Sequence, residues 1–177
     1  RTGCEDSKFG FTMREDFAFN CVADILELPN VNLVGFHMHI GSQIFALHSF
    51  DEAIKVIVEF AARVKGHYGI EVGEIDVGGG LGINYDMPEN EPIPNFASLF
   101  AIVHNHLRVG DREVHFEFGR SIVGECGELI TRVLFNKTTA TGRKLLIVDA
   151  SMTELIRPAL YGSYHNIENI TAETDRT

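Results

Sequence analysis

Apolar side chains change their period several times along the chain, and each change marks an element. From Arg14 to about Leu28, Phe17, Val22, Ile25 and Leu28 share a helical face, and Pro29 ends the run. From Leu33 to Ile40 the period drops to two. Val34, Phe36, Met38 and Ile40 point one way, and Leu33, Gly35, His37 and His39 the other. Ser49, with Glu52 three residues on, reads as a capping box. It opens a helix to about His67 with Ala53, Ile57, Phe60 and Val64 along one side. Val72–Val77 is a second strand, followed by a polar loop with three prolines and a helix from about Asn95 to Arg108. Val114–Phe118 is a third strand, with Val114, Phe116 and Phe118 opposite His115 and Glu117.

Helices and strands that alternate in this way build a parallel sheet covered by helices. The texture changes near Ser121. Ile122–Phe135 and Lys144–Ala150 are rich in strand formers, and Thr138–Gly142 reads as a turn. The expected architecture is α/β, with a partial barrel domain over residues 1–120 and the start of a β-rich domain over 121–177.

The chemistry gathers at the strand ends. Glu74-Ile75-Asp76-Val77 runs into Gly78, Gly79 and Gly80, with Gly82 following Leu81. Glycine in an ordered element costs roughly 0.5–1 kcal/mol, and no packing need of the strand accounts for the cluster. Backbone that turns sharply and offers N–H groups to a phosphate does; a flexible loop is the plain alternative. The spacing is not G-x-G-x-x-G, and the residues beyond Gly82 read as loop, so a Rossmann fingerprint does not fit. The other two strands also end in polar, glycine-bearing segments, His39-Ile40-Gly41-Ser42-Gln43 and Glu117-Phe118-Gly119-Arg120-Ser121. In a parallel βα array all strand C-termini lie on one rim. One site would then hold a glycine nest, the Ser42 hydroxyl, Arg120, Glu117 and His39. That set suits a phosphorylated, aromatic, nitrogen-bearing cofactor: nest, Ser42 and Arg120 for the phosphate, Glu117 for a protonated ring nitrogen, His39 for the ring face. A metal held by His37, His39 and Glu117 is the competing reading. His37 otherwise reads as a satisfied interior histidine, His115 as packing, and Glu117 with Arg120 as a plain ion pair. Further on, Arg157 precedes Pro158, with Tyr161 four residues later, a carboxylate clamp on a tight turn or an ordinary surface turn.

Composition narrows the partners. A chain of 177 residues, 45% hydrophobic with a formal net charge of -10, suits a soluble protein and argues against nucleic acid or an anionic membrane. Three widely spaced cysteines support neither a disulfide framework nor a zinc knuckle. With no long apolar run and no signal peptide, the expected location is cytoplasmic.

Five segments, in order, resemble the diaminopimelate decarboxylases, pyridoxal-phosphate enzymes of the alanine racemase-like fold type. They are Ser7-Lys8-Phe9-Gly10, His37-Met38-His39-Ile40-Gly41-Ser42-Gln43, Asp76-Val77-Gly78-Gly79-Gly80-Leu81-Gly82, Glu117-Phe118-Gly119-Arg120 and Ile156-Arg157-Pro158-Ala159-Leu160-Tyr161. The resemblance implies the second half of a (βα)8 TIM-type barrel and the entry to a C-terminal β domain, in a homodimer. It implies that His39 stacks on the pyridine ring and Glu117 holds its nitrogen. Ser42, Gly79, Gly80 and the Glu117-Phe118-Gly119-Arg120 segment would hold the phosphate. Arg120, Arg157 and Tyr161 would grip the far carboxylate of meso-2,6-diaminopimelate, which is converted to L-lysine and CO2; no metal is implied. Ornithine and arginine decarboxylases, or a non-catalytic phosphate-binding module, are the alternatives. Two departures stand out: Phe118 replaces a proline of the family motif, and Ser151 replaces a usual glycine. The family's Schiff-base lysine would fall before Arg1 and its cysteine-glutamate-serine motif after Thr177. None of Lys8, Lys55, Lys65, Lys137 and Lys144 matches the cofactor position, so the isolated chain is expected to be an inactive internal fragment.

Overall fold

The first helix, α1 (Phe17–Leu26), buries Phe19 and Val22 and follows a single 3₁₀ turn, Arg14–Asp16. The architecture comes from a computed structural model that describes residues 8–87, 90, 94–107 and 112–171. Ser7 of the first motif therefore lies outside the described residues. Strand β1 (Gly35–His37) leads to α2 (Leu47–Tyr68), the longest helix, which buries Phe50, Ile54, Ile57, Phe60, Ala61 and Val64. Gly69, at φ 71°, ends α2 in the left-handed conformation that glycine adopts cheaply. The expected capping box does not form. The helix starts at Leu47, because that side chain packs on the core, and Ala46 takes the cap position. The Ser49 amide donates to the Ala46 carbonyl at 3.0 Å, while Glu52 turns outward to Lys55 at 2.7 Å. Helix α3 (Phe96–His106) is capped by Asn95, whose Oδ1 accepts from the Ser98 amide at 3.1 Å.

Strands β1, β2 (Glu74–Asp76) and β3 (Glu113–His115) form a parallel sheet in that order. Its register aligns Gly35, Glu74 and Glu113 in one row and His37, Asp76 and His115 in another. Period two then separates the faces. Phe36, Met38, Ile75, Val77, Val114, Phe116 and Phe118 pack against Ile54, Ile57, Leu99 and Val103 of α2 and α3. Burying each large apolar side chain stabilises the fold by about 1.5–3 kcal/mol, and Ile75 is fully enclosed at 0% exposure. Leu33, expected on the polar face, packs into the core instead, since it precedes the paired part of the strand and is free to turn inward.

A hydrogen bond between Asp51 and His106 also ties α2 to α3. Asp51 receives Lys55 at 2.7 Å and His106 at 2.6 Å. The Lys55 bond, followed by the His106 bond, holds its carboxyl below the usual aspartate range. A depressed native pKa stabilises the fold above the unfolded value and ceases to do so as pH falls through the native one. Asp51→Asn should therefore unfold at lower denaturant than wild type at pH 7, the two midpoints converging below about pH 4. An unchanged gap at pH 3 would remove the ion pairs as its cause.

The described residues divide into two compact units. One holds those up to Ile83 and those from 94 to Gly124; the other holds those among 84–90 and from Glu125 onward. In the second unit, β4 (Val133–Thr138) and β5 (Lys144–Val148) pair antiparallel through a turn in which Gly142 sits at φ 82°. Asp149 pins the start of β4, accepting from the Thr131 hydroxyl at 2.6 Å and the Arg132 amide at 2.8 Å. Helix α4 (Arg120–Val123) closes the first unit, and α5 (Arg157–Tyr161) belongs to the second. Among the described residues no helix is long and apolar enough to cross a membrane.

Candidate active site

The three strand ends of the sheet converge on the glycines, so closely that packing does demand them. A Cβ on Gly78 would strike the Met38 carbonyl oxygen and stand 3.3 Å from the Nδ1 of His39. One on Gly79 would strike the Glu117 carbonyl, and one on Gly80 the Gly41 carbonyl. Gly78 and Gly80 also hold φ of 70° and 102°, where side chains are strained. The cluster, expected to serve a ligand alone, also lets three loop backbones touch. Hydrogen bonds lock the contact: Ile44 N to Gly80 O at 2.9 Å, Gly82 N to Ile44 O at 3.0 Å and Glu117 N to Gly78 O at 2.9 Å. Gln43, at φ 63°, clasps Ile83 by both amide and carbonyl, at 2.6 and 3.2 Å. No sequence signal singles out that role for Gln43, because its partner lies 40 residues away.

Between these contacts a pair of donors stays open. The Gly78 amide is taken by Asp76 Oδ1 at 2.8 Å. The amides of Gly79, which is buried, and Gly80 donate to nothing among the described residues. His39 and Ser42 are exposed on the flanking segment, the His39 imidazole beside Gly78.

Glu117 meets His37, with Oε2 and Nε2 3.0 Å apart and the side chains about half exposed, at 55% and 51%. His37 is thus neither idle nor bonded within a core. Its ligand atom, one of Asp76 and one of Glu117 all lie within 4.8 Å of one another. The expected metal group has His39 in the place that Asp76 takes, and His39 is outside this cluster. Asp76 is legible on the His37 face by its period-two position, yet nothing in the sequence gives it a role. His115 is not packing either: its Nε2 lies 3.7 Å from Glu74 and 3.6 Å from Glu113, one row toward the strand starts.

Phe118 turns away from that face. Its ring meets Phe96 edge-on at 5.0 Å and stacks on Phe116 at 5.1 Å. Only its backbone is left to line the site. The aromatic anchor does for this turn what the stiffness of a proline would do. Gly119 is exposed, and Arg120 begins α4, with the Gly124 amide returning to the Arg120 carbonyl at 2.7 Å.

In the second unit Arg157 and Tyr161 bound a single helical turn, not the expected tight turn. Pro158 fits its first turn, and Gly162, at φ 62°, ends it. Arg157 is half-buried; it donates to Ser163 Oγ at 3.3 Å and lies 5.7 Å over the ring of Tyr85, which also meets His165 edge-on. Its Nε, and Nε2 of His165, are buried without a hydrogen-bond partner among the described residues. Tyr161 is 71% exposed. Tyr85, Ser163 and His165 are not foreseeable from sequence, since only the folded loop brings them to Arg157. Ser151 does not have positive φ, so its place in a glycine position strains nothing.

Known proteins resemble this chain in sequence and fold. The family described as pyridoxal-dependent decarboxylase, pyridoxal binding domain, matches residues 1–124. Diaminopimelate decarboxylase of Bacteroides thetaiotaomicron is 43% identical over 174 residues, 97% of this chain and 44% of its own length. The crystal structure of diaminopimelate decarboxylase from Helicobacter pylori complexed with L-lysine superposes with a TM-score of 0.83 at 35% identity, covering 96% of this chain and 41% of that one. A lysine/ornithine decarboxylase from Vibrio vulnificus, at TM-score 0.75 and 18% identity, covers 88% and 41% and shares the fold. The chain spans less than half the length of each. The parallel α/β unit is therefore part of an alanine racemase-like barrel, and the chain belongs to the pyridoxal-dependent decarboxylase family.

Proposed function

We propose that the complete protein converts meso-2,6-diaminopimelate to L-lysine and CO2 with pyridoxal 5'-phosphate, and that this chain supplies the phosphate cup and part of the substrate clamp. The observation that carries the cofactor reading is the pair of undonated amides at Gly79 and Gly80. Buried N–H groups are nearly always paired, so the open amide of buried Gly79, with that of half-buried Gly80 beside it at a strand end, fits an anion. Ser42 and the Phe118–Arg120 backbone stand on the flanking segments and complete the cup. His39, beside Gly78, supplies a flat face for the ring.

Bound there, pyridoxal phosphate supplies an electron sink for the pair left when the carboxylate departs. The protein's part is electrostatic. Glu117, as a carboxylate, holds a proton at the ring nitrogen. Arg157 and Tyr161 hold the far carboxylate of the substrate, and Ser163 and Tyr85 hold Arg157 in turn. Diaminopimelate is favoured over ornithine or arginine because the relatives above 30% identity carry that activity in their names. The reading includes a homodimer in the cytoplasm. The net charge of -10 supports a small-molecule partner over nucleic acid.

The test is cofactor titration of the complete enzyme, followed by CO2 release from diaminopimelate, ornithine and arginine. Preference for ornithine or arginine would move the substrate assignment; cofactor binding without turnover would favour a non-catalytic module. Arg157→Ala should raise the Michaelis constant for diaminopimelate ten- to a hundredfold, since a charge-assisted bond is worth roughly 1.5–3 kcal/mol, with cofactor affinity unchanged. Loss of cofactor in that variant would break the separation of the two sites.

A further inference from the structure

We infer that His37 is a positioning residue for Glu117. The inference rests on the cofactor reading for its consequence, but not for its geometry. His37 lies among two carboxylates, with its own ligand atom and those of Asp76 and Glu117 within 4.8 Å of one another. A carboxylate at this site only accepts, so the 3.0 Å contact has His37 Nε2–H donating to Glu117 Oε2. Among the described residues the other oxygen of Glu117 has no partner. Asp76 Oδ1 accepts from the Gly78 amide at 2.8 Å.

Asp76, tied to the glycine nest through the Gly78 amide, thus stands within 4.8 Å of the His37–Glu117 pair that carries the carboxylate for the ring nitrogen. Left alone, two neighbouring carboxylates repel, and the longer, half-exposed Glu117 has the freedom to swing toward solvent. The His37 N–H engages one oxygen of Glu117 and so limits that swing. The pairing of β1 with β2 sets His37 and Asp76 in one row, and Glu117, two residues beyond β3, is held alongside by the bond of its amide to the Gly78 carbonyl at 2.9 Å.

The test uses the complete enzyme with His37→Phe and His37→Gln, the second keeping an amide N–H near the position of Nε2. Loss of one charge-assisted bond predicts a fall in kcat of about tenfold for His37→Phe, with the Michaelis constant for diaminopimelate little changed. The induced circular dichroism of the bound cofactor should change in the same variant. His37→Gln should restore most of both. In the apoprotein, histidine-selective ¹⁵N spectra should show His37 protonated at Nε2, a preference lost in Glu117→Ala. Wild-type-like kcat and dichroism in His37→Phe overturn the inference, as does equal loss in both variants, which would mark bulk structure. A wild type that binds no pyridoxal phosphate defeats the functional reading instead, while the apoprotein spectra still decide the His37–Glu117 pair.

Discussion

Gly80→Ala is expected to lose pyridoxal phosphate almost completely. Two penalties coincide there. The residue holds φ at 102°, where a side chain costs roughly 1–3 kcal/mol, and its new methyl would overlap the Gly41 carbonyl. Relieving an overlap by backbone shift costs about another 1–3 kcal/mol. A shift of Gly80 away from Gly41 would strain the bonds that join Ile44 to Gly80 and Gly82. The amides of Gly79 and Gly80 would then no longer be held at one point. Gly142→Ala is the control. It has a comparable φ of 82° with nothing within 4 Å of its Cβ. It should lower the thermal midpoint through strain and leave cofactor affinity as it was. Titrating both apoproteins with pyridoxal phosphate separates the cases, and a Gly80→Ala protein of normal affinity would mean that the nest does not hold the phosphate.

Much of the fold can be read along the chain because it depends on local periods. The alternation at Phe36, Met38, Val114 and Phe116 places those residues on the core face, where they lie. The helical stripe at Ile57, Phe60 and Val64 does the same. What fails is where two local signals compete or where the cause is distant. Ser49 and Glu52 match a capping box, but burying Leu47 outweighs it and starts the helix earlier. The glycines are legible as a candidate site, yet the carbonyls they accommodate come from Met38, Gly41 and Glu117, set close only by the parallel pairing. The same pairing creates the His37–Asp76–Glu117 group from residues up to 80 positions apart. Around Arg157, Tyr85 arrives from a loop whose path no residue pattern predicts.

Glu117→Gln should leave the cofactor bound and slow turnover by about a hundred- to a thousandfold. The substitution keeps the volume and an oxygen that accepts from His37, so the 3.0 Å contact and the loop it braces survive. It removes the charge. A carboxylate beside a ring nitrogen favours the protonated form, and losing such a partner shifts the nitrogen's pKa by some two to three units. At about 1.4 kcal/mol per unit, that is tenfold in rate for each unit the step depends on. The proposed phosphate contacts, on Gly79 and Gly80 and their flanking segments, carry no part of this and should keep the dissociation constant near that of wild type. Glu113→Gln provides the contrast. Glu113 lies on the same sheet face but beside His115, two rows from the loop ends, and its neutralisation should leave turnover almost untouched. The measurement is single-turnover CO2 release from cofactor-saturated protein, with the visible spectrum recorded to confirm loading. If Glu117→Gln turned over like wild type, the carboxylate would be a brace for the strand end and the ring nitrogen would need another partner.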